Sequence, residues 1–338
     1  MSEKDFSVIM LFGRRRLEPG LSSLLSQEGV NFEIIAVGDF EPGEIEDPRI
    51  KFLKIVEQNP AMRRNQAVRI SAGNWLAFID DDAIAPKDWL SKAKAIFKTR
   101  PELAGFGGTN IAPLDLSWRE KLVELILTDS YFGSGSKAYK ISQVSHLARP
   151  GEIHLSNFFL KKEIFERLKG FNEKIGYGAE DSELVYQIKK RAGLDLGFFP
   201  ELFVIHQRRK WGWEWFKRNF RFRRQNGRLL WLYPDMYLWN RSLWAGIAVF
   251  FLGLIILLIY PKLFLGLILF YFCSFMVMSF VRLKTDKWLC LISPFAYLGH
   301  HLSYLSGLLL GVLEGVFRRR SKIQKLLGRE DFEEKKNQ

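Results

Sequence analysis

Short apolar runs alternate with segments of helical spacing over the first 205 residues. Four of the runs are dense in β-branched and aromatic residues, as buried strands are: Phe6–Phe12, Phe32–Val37, Ile50–Val56 and Trp75–Ile79. Between them, Leu17–Gln27 and Ala61–Ala72 repeat apolar residues with the period of a helix. This alternation predicts an α/β fold with a mostly parallel central sheet, in which ligands bind beyond the carboxyl ends of the strands.

The pattern changes near residue 240, where long uncharged runs begin. Residues 242–260 and 263–281 contain no charged side chain, and each run of about 19 residues is long enough to cross a bilayer. Only Pro261 and Lys262 separate them, which predicts a hairpin of two membrane spans. Basic residues flank the hairpin on both sides. The positive-inside rule therefore predicts a multi-pass protein of the cell membrane whose N-terminal domain is cytoplasmic.

A third apolar segment, residues 288–317, is less regular. It contains two histidines and Glu314, and the basic cluster Arg318–Arg320 follows it. A single crossing would place that cluster outside, so we expect a re-entrant or interfacial segment before a charged cytoplasmic tail at 318–338. Small or polar residues recur every three or four positions: Tyr304, Gly307, Gly311 and Gly315. Such a stripe predicts a seam against which another helix packs closely.

The segment 206–240, between the N-terminal domain and the first predicted span, is basic and aromatic. From His206 to Arg228 it holds nine Lys or Arg residues and one acid, interleaved with Trp and Phe. Segments of this kind bind single-stranded nucleic acid in some proteins and lie in the headgroup layer of anionic membranes in others. Because this one directly precedes a membrane span, we expect a membrane surface and no nucleic acid as its partner. The formal net charge of +13 agrees with an anionic partner.

Three consecutive carboxylates, Asp80, Asp81 and Asp82, follow the apolar run Trp75–Ile79. They repel one another unless a cation lies close by. Asp80 and Asp82 form an Asp-x-Asp pair that suits a hard divalent ion, Mn²⁺ or Mg²⁺, and such an ion prefers to complete its shell with water and substrate phosphates. The pair therefore points to a diphosphate substrate. A solvated acidic turn before Pro86 is the alternative.

A second acidic pair, Glu180 and Asp181, follows Gly176–Gly178 and opens a segment of helical spacing that ends at Arg191. Acids in a first turn stabilise a helix, which by itself could explain the pair. The alternative is catalytic, with one of the acids acting as a general base. No Gly-x-Gly-x-x-Gly follows the first predicted strand and the sequence has no Gly-Lys-Ser/Thr loop, so neither a Rossmann dinucleotide site nor a P-loop ATPase is supported.

Several short elements follow one another in a specific order from residue 6 to about residue 230. They are Phe32–Val37, Arg64–Asn65, Phe78–Asp82 with Pro86 and Trp89, Ser156–Asn157 with Lys161–Lys162, and Gly170–Asn172 leading to Gly176–Asp181. Their joint order resembles the cytoplasmic domain of family 2 glycosyltransferases of the GT-A fold. The trailing apolar segments resemble the membrane-bound branch of that family, which builds polysaccharides and glycolipids. The resemblance implies inverting transfer of a sugar from a nucleotide-diphosphate sugar to a hydroxyl.

The resemblance also implies roles for single residues. Asp80 and Asp82 are expected to hold the metal and the donor diphosphate, and Asp181, with Glu180 beside it, to deprotonate the acceptor. The remaining expectations are donor contacts from Arg64, Asp39, Arg218 and Arg221, a metal contact from His206 and an acceptor-side contact from Asn157. For Asn157 the alternative is a cap on the helix predicted at 161–168.

The chain departs from the family after its first two strands. Leu11–Gly13 and Gly38–Asp39 stand where the family usually has a polar Thr-Tyr-Asn stretch and an acidic pair. Asp39 keeps one acid of that pair. The sequence therefore predicts a nucleotide-sugar donor without naming its base.

Four regions are expected: a cytoplasmic GT-A catalytic domain (1–205), a basic aromatic interfacial segment (206–240), a membrane region (241–317) and a charged tail (318–338). The expected function is metal-dependent inverting transfer from a nucleotide sugar to a glycolipid or polysaccharide acceptor at the membrane surface. Two alternatives stay open. One is a polyprenyl-phosphate glycosyltransferase, and the other is a non-catalytic membrane scaffold or nucleic-acid-binding protein that uses the basic segment.

Overall fold

The chain divides into two compact units. The computed structural model describes residues 4–13, 19–39, 46–133, 136–140, 144–148, 151–175, 178–238, 248, 251–253 and 255–317. The first unit comprises Met1–Leu114 and Ser136–Gln207, and the second comprises Asp115–Gly135 and Arg208–Gln338. The segment 115–135, which the sequence analysis placed in the catalytic domain, thus groups with the C-terminal residues.

The first unit is built around a sheet of eight strands and a smaller sheet of three. In chain order the strands are β1 (Lys4–Leu11), β2 (Phe32–Gly38), β3 (Ile50–Lys54), β4 (Gly73–Asp80), β5 (Ala83–Ile84), β6 (Gly105–Gly107), β7 (Asn110–Ile111), β8 (His146–Leu147), β9 (Asn157–Lys161), β10 (Leu196–Phe198) and β11 (Val204–His206). The large sheet has the order β3-β2-β1-β4-β9-β6-β10-β8. Six of its eight strands run in one direction, and β9 and β8 run in the other.

Ten helices have bounds within the described residues: α1 (Gly20–Leu25), α2 (Pro60–Arg69), α3 (Trp89–Thr99), α4 (Trp118–Leu127), α5 (Lys162–Arg167), α6 (Glu180–Lys190), α7 (Trp213–Leu232), α8 (Pro234–Leu238), α9 (Pro261–Arg282) and α10 (Ser293–Phe317). Predicted and observed elements differ mainly at their ends. The helix predicted from Ala61 begins at Pro60, because the side chain of Asn59 accepts the backbone N–H of Ala61 at 3.0 Å and caps it.

Two apolar cores cover the two faces of the large sheet. Successive side chains of a strand point to opposite faces, so on β1 Ile9 joins one core while Val8 and Met10 join the other. The first core contains apolar residues of α2, α5 and α6, and the second contains those of α1 and α3. Burial on both faces explains why β1 and β2 read as nearly continuous apolar runs.

The small sheet, of order β5-β11-β7, fixes the position of His206. β5 begins directly after the three aspartates, and β11 pairs antiparallel with it so that His206 lies opposite Ala83. The backbone N–H of Gln207 also donates to the carbonyl oxygen of Asp82 at 3.1 Å. A histidine more than a hundred residues away in the chain is thereby held beside the carboxylates that end β4.

In the second unit, α7 and α10 pack lengthwise against each other. Gly307 lies against the backbone of Phe220, and Gly311 lies against the backbone of Arg224. Since the residue numbers rise together along both helices, the helices run parallel. A Cβ at Gly311 would lie 2.1 Å from the carbonyl oxygen of Arg224. The predicted seam of small residues is found here, and its partner is the basic aromatic helix α7.

A buried carboxylate fixes the end of α4 in the same unit. Asp129 accepts the hydroxyl of Tyr297 at 2.8 Å and the backbone N–H of Tyr131 at 2.8 Å. Its ion pair with Arg282 measures 3.1 Å. Because Arg282 ends α9 and Tyr297 belongs to α10, this one side chain ties three helices together.

Among the described residues, α9 is the one helix that is long and apolar enough to cross a membrane. It contains the predicted span 263–281. About half of the other predicted span, 242–260, and the whole tail 318–338 lie outside the described residues. The third apolar segment folds as a short 3-10 helix, Lys287–Leu291, followed by α10. Length and composition thus give one candidate span.

Replacing Gly311 by Ala should destabilise the protein by about 1–3 kcal/mol, because the new methyl group has no room beside the Arg224 carbonyl. The matched control is Gly266→Ala on α9, where a Cβ meets no atom within 4 Å. There the higher helix propensity of Ala should leave stability unchanged or raise it by up to ~1 kcal/mol. Unfolding of both variants in detergent, followed by tryptophan fluorescence, measures the difference. Equal effects at the two positions would contradict the close packing of α7 and α10.

Candidate active site

The three aspartates at the end of β4 do not share one role. β4 is parallel to β1, and Asp80 pairs with Leu11 at the carboxyl edge of the sheet. Asp81 accepts the backbone N–H of Gly13 at 3.0 Å, and so its carboxylate holds the segment after β1. Asp80 and Asp82 instead face His206.

Asp80, Asp82 and His206 form a group that can hold a metal ion. The Nε2 atom of His206 lies 3.0 Å from a carboxylate oxygen of Asp82 and 3.6 Å from one of Asp80. One ligand atom from each of the three residues lies within 4.8 Å of the others. Two carboxylates and one imidazole suit a divalent ion such as Mn²⁺, which accepts both oxygen and nitrogen ligands. The structure thus brings together the three residues that the sequence proposed as metal ligands.

The second acidic pair begins α6 on an unusual backbone. Gly178 has φ of 88° and the buried residue Ala179 has φ of 98°, a left-handed value that residues with a Cβ rarely adopt. The N–H of Gly178 donates to the carboxylate of Glu180 at 2.9 Å. Strain of this kind is retained where the surrounding structure requires one conformation, which is common at functional sites. Nothing in the sequence indicated it, because an alanine carries no turn signal.

Arg64 connects the two acidic groups. Its guanidinium lies 3.1 Å from the carboxylate of Glu180 and 3.9 Å from that of Asp80, and its side chain is only 9% exposed. The sequence predicts that Arg64 contacts the nucleotide, and that role stays a prediction. No pattern in the sequence indicates that this arginine is the cation that brings Asp80 and Glu180 close together.

Asn65, the neighbour of Arg64, fixes the chain that leads to α6. Its side chain accepts the N–H of Phe171 at 2.8 Å and donates to the carbonyl oxygen of Phe171 at 2.9 Å. It also donates to the carboxylate of Glu173 at 2.8 Å. The Arg-Asn pair on α2 thus has divided tasks, since the arginine faces the acids while the asparagine holds the segment before them.

The environment of Glu180 and Asp181 raises the pKa of both carboxyl groups. Burial raises the pKa of Asp181 above its usual value of 3.8, although the Ser182 N–H and the Arg64 charge oppose the rise. Burial likewise raises the pKa of Glu180, with Arg64 again opposing and the Asp181 charge adding to the rise. A carboxylate with a raised pKa is a stronger base than an exposed one. This suits general-base catalysis near neutral pH.

Asn157 is integrated into the core of the first unit. It is fully buried, and its amide donates to the carbonyl oxygen of Leu202 at 2.6 Å and to that of Thr109 at 3.2 Å. Its side-chain oxygen accepts the indole N–H of Trp89 at 3.1 Å. The helix cap considered as an alternative is not formed, because α5 begins at Lys162 with Lys161 as its N-cap. The acceptor-side role of Asn157 stays a prediction.

The remaining predicted donor contacts lie on other elements. Asp39 follows β2, whose carboxyl end lies at the same edge of the sheet as that of β4, and it accepts a hydrogen bond from Gln58 at 3.2 Å. Arg218 and Arg221 lie on α7 in the second unit. The donor roles of these three residues stay predictions. Gly176, part of the motif before the acid pair, lies outside the described residues.

A model of the glycosyl transferase family group 2 matches residues 75–283, which is more than half of the chain. The chain belongs to this family. The resemblance seen in the sequence is therefore confirmed. The matched region includes the aspartates that end β4, the acid pair of α6 and His206, whereas Arg64 precedes it. In this glycosyltransferase both acidic motifs thus lie within the family's matched region.

Two similar proteins give further detail. A glucosyl-dolichyl phosphate glucuronosyltransferase of Haloferax volcanii is 24% identical over 113 residues, which are 33% of this chain and 34% of that protein. The match thus spans about a third of the relative's length. The solved mannosyltransferase PcManGT from Pyrobaculum calidifontis, in complex with GDP-Man and Mn²⁺, superposes with a TM-score of 0.57 at 15% identity, covering 90% of this chain and 87% of that one. The likeness in structure confirms the predicted GT-A fold.

Replacing Arg64 by Gln should make sugar transfer by this glycosyltransferase more sensitive to acid. Arg64 lowers the pKa of both Glu180 and Asp181, so its removal raises both, and a base that must be ionised is then lost at a higher pH. The acid limb of kcat/KM should move upward, and the loss of activity should be larger at pH 6 than at pH 8. Pre-steady-state or initial-rate profiles from pH 5 to 9 measure it.

Arg64→Lys is the matched variant, because it keeps the charge and removes the planar guanidinium. It should retain the acid limb of the wild type more closely than the Gln variant does. If Arg64→Gln instead raised KM for the donor equally at every pH, the arginine would act on the nucleotide and not on the acid pair.

Proposed function

We propose that this protein is a metal-dependent inverting glycosyltransferase that moves a sugar from a nucleotide-diphosphate sugar to a hydroxyl of a glycolipid or polysaccharide at a membrane surface. The observation that carries the proposal is the position of Arg64, whose guanidinium lies 3.9 Å from Asp80 of the metal group and 3.1 Å from Glu180, the neighbour of Asp181. Such a transfer requires two parts. One is a cation site that binds the diphosphate of the donor, and the other is a carboxylate that accepts the proton of the acceptor hydroxyl.

The residues of the metal group have a defined task in this mechanism. A divalent ion held by Asp80, Asp82 and His206 would act as a Lewis acid on the diphosphate that leaves. Asp81 stays outside this group, since its carboxylate holds the Gly13 backbone. The negative charge of Asp80 is partly offset by Arg64, which lies 3.9 Å away.

Asp181 carries the proton transfer. Its carboxylate takes the proton of the acceptor hydroxyl while that oxygen forms a bond to the anomeric carbon and the bond to the diphosphate oxygen breaks. The electron pair of the breaking bond stays on the nucleoside diphosphate. A single in-line displacement inverts the anomeric configuration and needs no covalent sugar-enzyme intermediate. Glu180, paired with Arg64 at 3.1 Å, holds the guanidinium beside this base.

The ligands and substrates named for the two similar proteins support the proposed donor and acceptor classes. The solved neighbour binds GDP-Man and Mn²⁺, which supports a nucleotide-sugar donor and a divalent cation here. The name of the curated relative contains a sugar attached to dolichyl phosphate, which supports a lipid-linked sugar as the acceptor.

Two helices of the second unit support the proposal that the protein acts at a membrane surface. α9 is a candidate span, and α7 carries a row of Lys and Arg side chains that anionic headgroups attract. Arg282 ends α9, Lys284 and Lys287 follow it, and by the positive-inside rule this end is cytoplasmic. We place the protein in the cell membrane, with the predicted hairpin of 242–260 and 263–281 as its anchor and the first unit on the cytoplasmic side.

Replacing Asp82 by Asn should abolish Mn²⁺-dependent transfer and weaken Mn²⁺ binding to the protein, since a ligand charge is lost where His206 and Asp80 converge. The matched control is Asp81→Asn, whose carboxylate serves the Gly13 N–H and not the metal group. Calorimetric titration with Mn²⁺ plus the nucleoside diphosphate measures binding, and release of nucleoside diphosphate measures turnover. Wild-type Mn²⁺ dependence in the Asp82 variant would contradict the metal assignment, and no turnover of any nucleotide sugar by the wild type would favour a scaffold.

Replacing Asp181 by Asn should lower transfer to a hydroxyl acceptor by roughly a hundredfold or more, the usual size of a general-base contribution, while donor binding persists. Glu180→Gln is the comparison, and it should be less damaging at alkaline pH. The Asp181 variant also distinguishes a hydroxyl acceptor from the alternative acceptor, a polyprenyl phosphate. A polyprenyl phosphate is already ionised at neutral pH and needs no base. Unchanged transfer to a polyprenyl phosphate by the Asp181 variant would therefore identify that lipid as the acceptor.

A further inference from the structure

The apolar helix α10 packs along its length against α7, a helix too highly charged to lie in the hydrocarbon of a bilayer. α7 carries six cationic side chains and one acid: Lys217, Arg218, Arg221, Arg223, Arg224, Arg228 and Glu214. Charged side chains at the centre of a bilayer are costly, so α7 belongs at the headgroups or in water. Any segment fixed to α7 must share that position.

The contacts between the two helices cover four turns. On α10 a small residue recurs at every fourth position: Gly299, Ser303, Gly307, Gly311 and Gly315. Gly299 lies against the ring of Phe216, and Gly315 lies against the indole of Trp231. Because the first and last contacts are fifteen residues apart on α7 and sixteen apart on α10, the helices lie side by side and do not cross at one point.

Polar contacts fix the same register. The single charged residue of α10, Glu314, pairs with Arg224 at 2.9 Å and with Arg228 at 2.6 Å. Near the other end, the amide of Asn219 donates to the hydroxyl of Ser303 at 2.6 Å. The guanidinium of Arg223 lies 4.0 Å from the centre of the Tyr304 ring. Breaking this pairing to insert α10 alone would leave Glu314 without its arginines in hydrocarbon.

The exposed face of α10 is mainly apolar, and Ser306 is an exposed polar residue on it. Phe295, Leu302, Leu310, Leu313 and Val316 lie on it, and they are between 37% and 55% exposed. The helix thus has a leucine face turned away from the small-residue face that α7 covers. α10 is long enough to cross a bilayer, but among the described helices only α9 is also apolar enough to be a candidate span.

From these contacts we infer that α10 does not cross the membrane but lies with α7 in the plane of an anionic lipid surface, with its leucine face in the acyl chains and the cations of α7 at the phosphates. We infer lipid as the partner of the leucine face because the neighbouring helix α7 carries six cationic side chains. Apolar side chains beside clustered cations are typical of helices that lie at a membrane interface. The inference rests on the membrane-surface location in the proposed function, and of the two arrangements expected for the third apolar segment it favours the interfacial one.

Depth measurements along α10 test this inference in the full chain. Cys273 and Cys290, which are both free, are first replaced by Ser. Single cysteines at Leu302, Leu310 and Val316 are then labelled with a fluorophore, and the protein is reconstituted into phosphatidylcholine–phosphatidylglycerol vesicles with shallow or deep spin-labelled lipids. The three labels should be quenched equally by the shallow lipid and weakly by the deep one. In phosphatidylcholine alone, quenching on α10 should fall.

Labels at Leu265, Phe270 and Phe280 on α9 form the matched set, because these exposed residues lie on the candidate span. Their depth should change along the helix. A crossing α10 would change depth by about 21 Å between positions 302 and 316, at 1.5 Å per residue, and that result would overturn the inference. Absence of lipid quenching on α10 would also overturn it, since a protein partner or a second copy would then cover the leucine face. Sugar transfer measured in the same vesicles reports the proposed function separately.

Discussion

One guanidinium between two groups of carboxylates is the interaction on which the candidate site depends. Asp80 ends β4 and Asp82 follows it, whereas Glu180 and Asp181 begin α6, and each of these two groups has one carboxylate within ion-pair distance of Arg64. Burial raises the pKa of Glu180, and the Arg64 charge opposes that rise. Arg64 contacts both Asp80 and Glu180, and thereby brings the proposed metal-binding pair and the proposed base close to each other.

The topology of the two sheets supplies the geometry around that arginine. Parallel strands bring their carboxyl ends to one edge, which is why Asp39 and Asp80 follow neighbouring parts of the same edge. The small sheet then adds His206 from a strand that pairs beside the aspartates. Asn65 holds the chain that leads into α6 by both of its amide atoms. Asp80 and His206 therefore lie on strands whose positions are fixed by backbone pairing.

At the proposed membrane surface, the second unit meets a different physical constraint, the separation of charged side chains from hydrocarbon. The small residues of α10 let its backbone approach that of α7, and close approach is what allows Glu314 to reach Arg224 and Arg228. The buried carboxylate of Asp129 joins α4 to α9 and α10 through Arg282 and Tyr297. Charge pairing of this kind lets an apolar helix and a basic helix occupy one layer.

The sequence by itself determined the α/β class, the family, the two acidic motifs and the apolar α9, because periodicity, motif order and uncharged length are local properties of a chain. Only the tertiary structure decided which side chains meet. It separated Asp81 from the metal group, placed Arg64 between Asp80 and Glu180, and gave α10 a basic helix as its partner. These outcomes depend on strand pairing and helix packing between residues far apart in the chain, and one sequence carries no record of such distances.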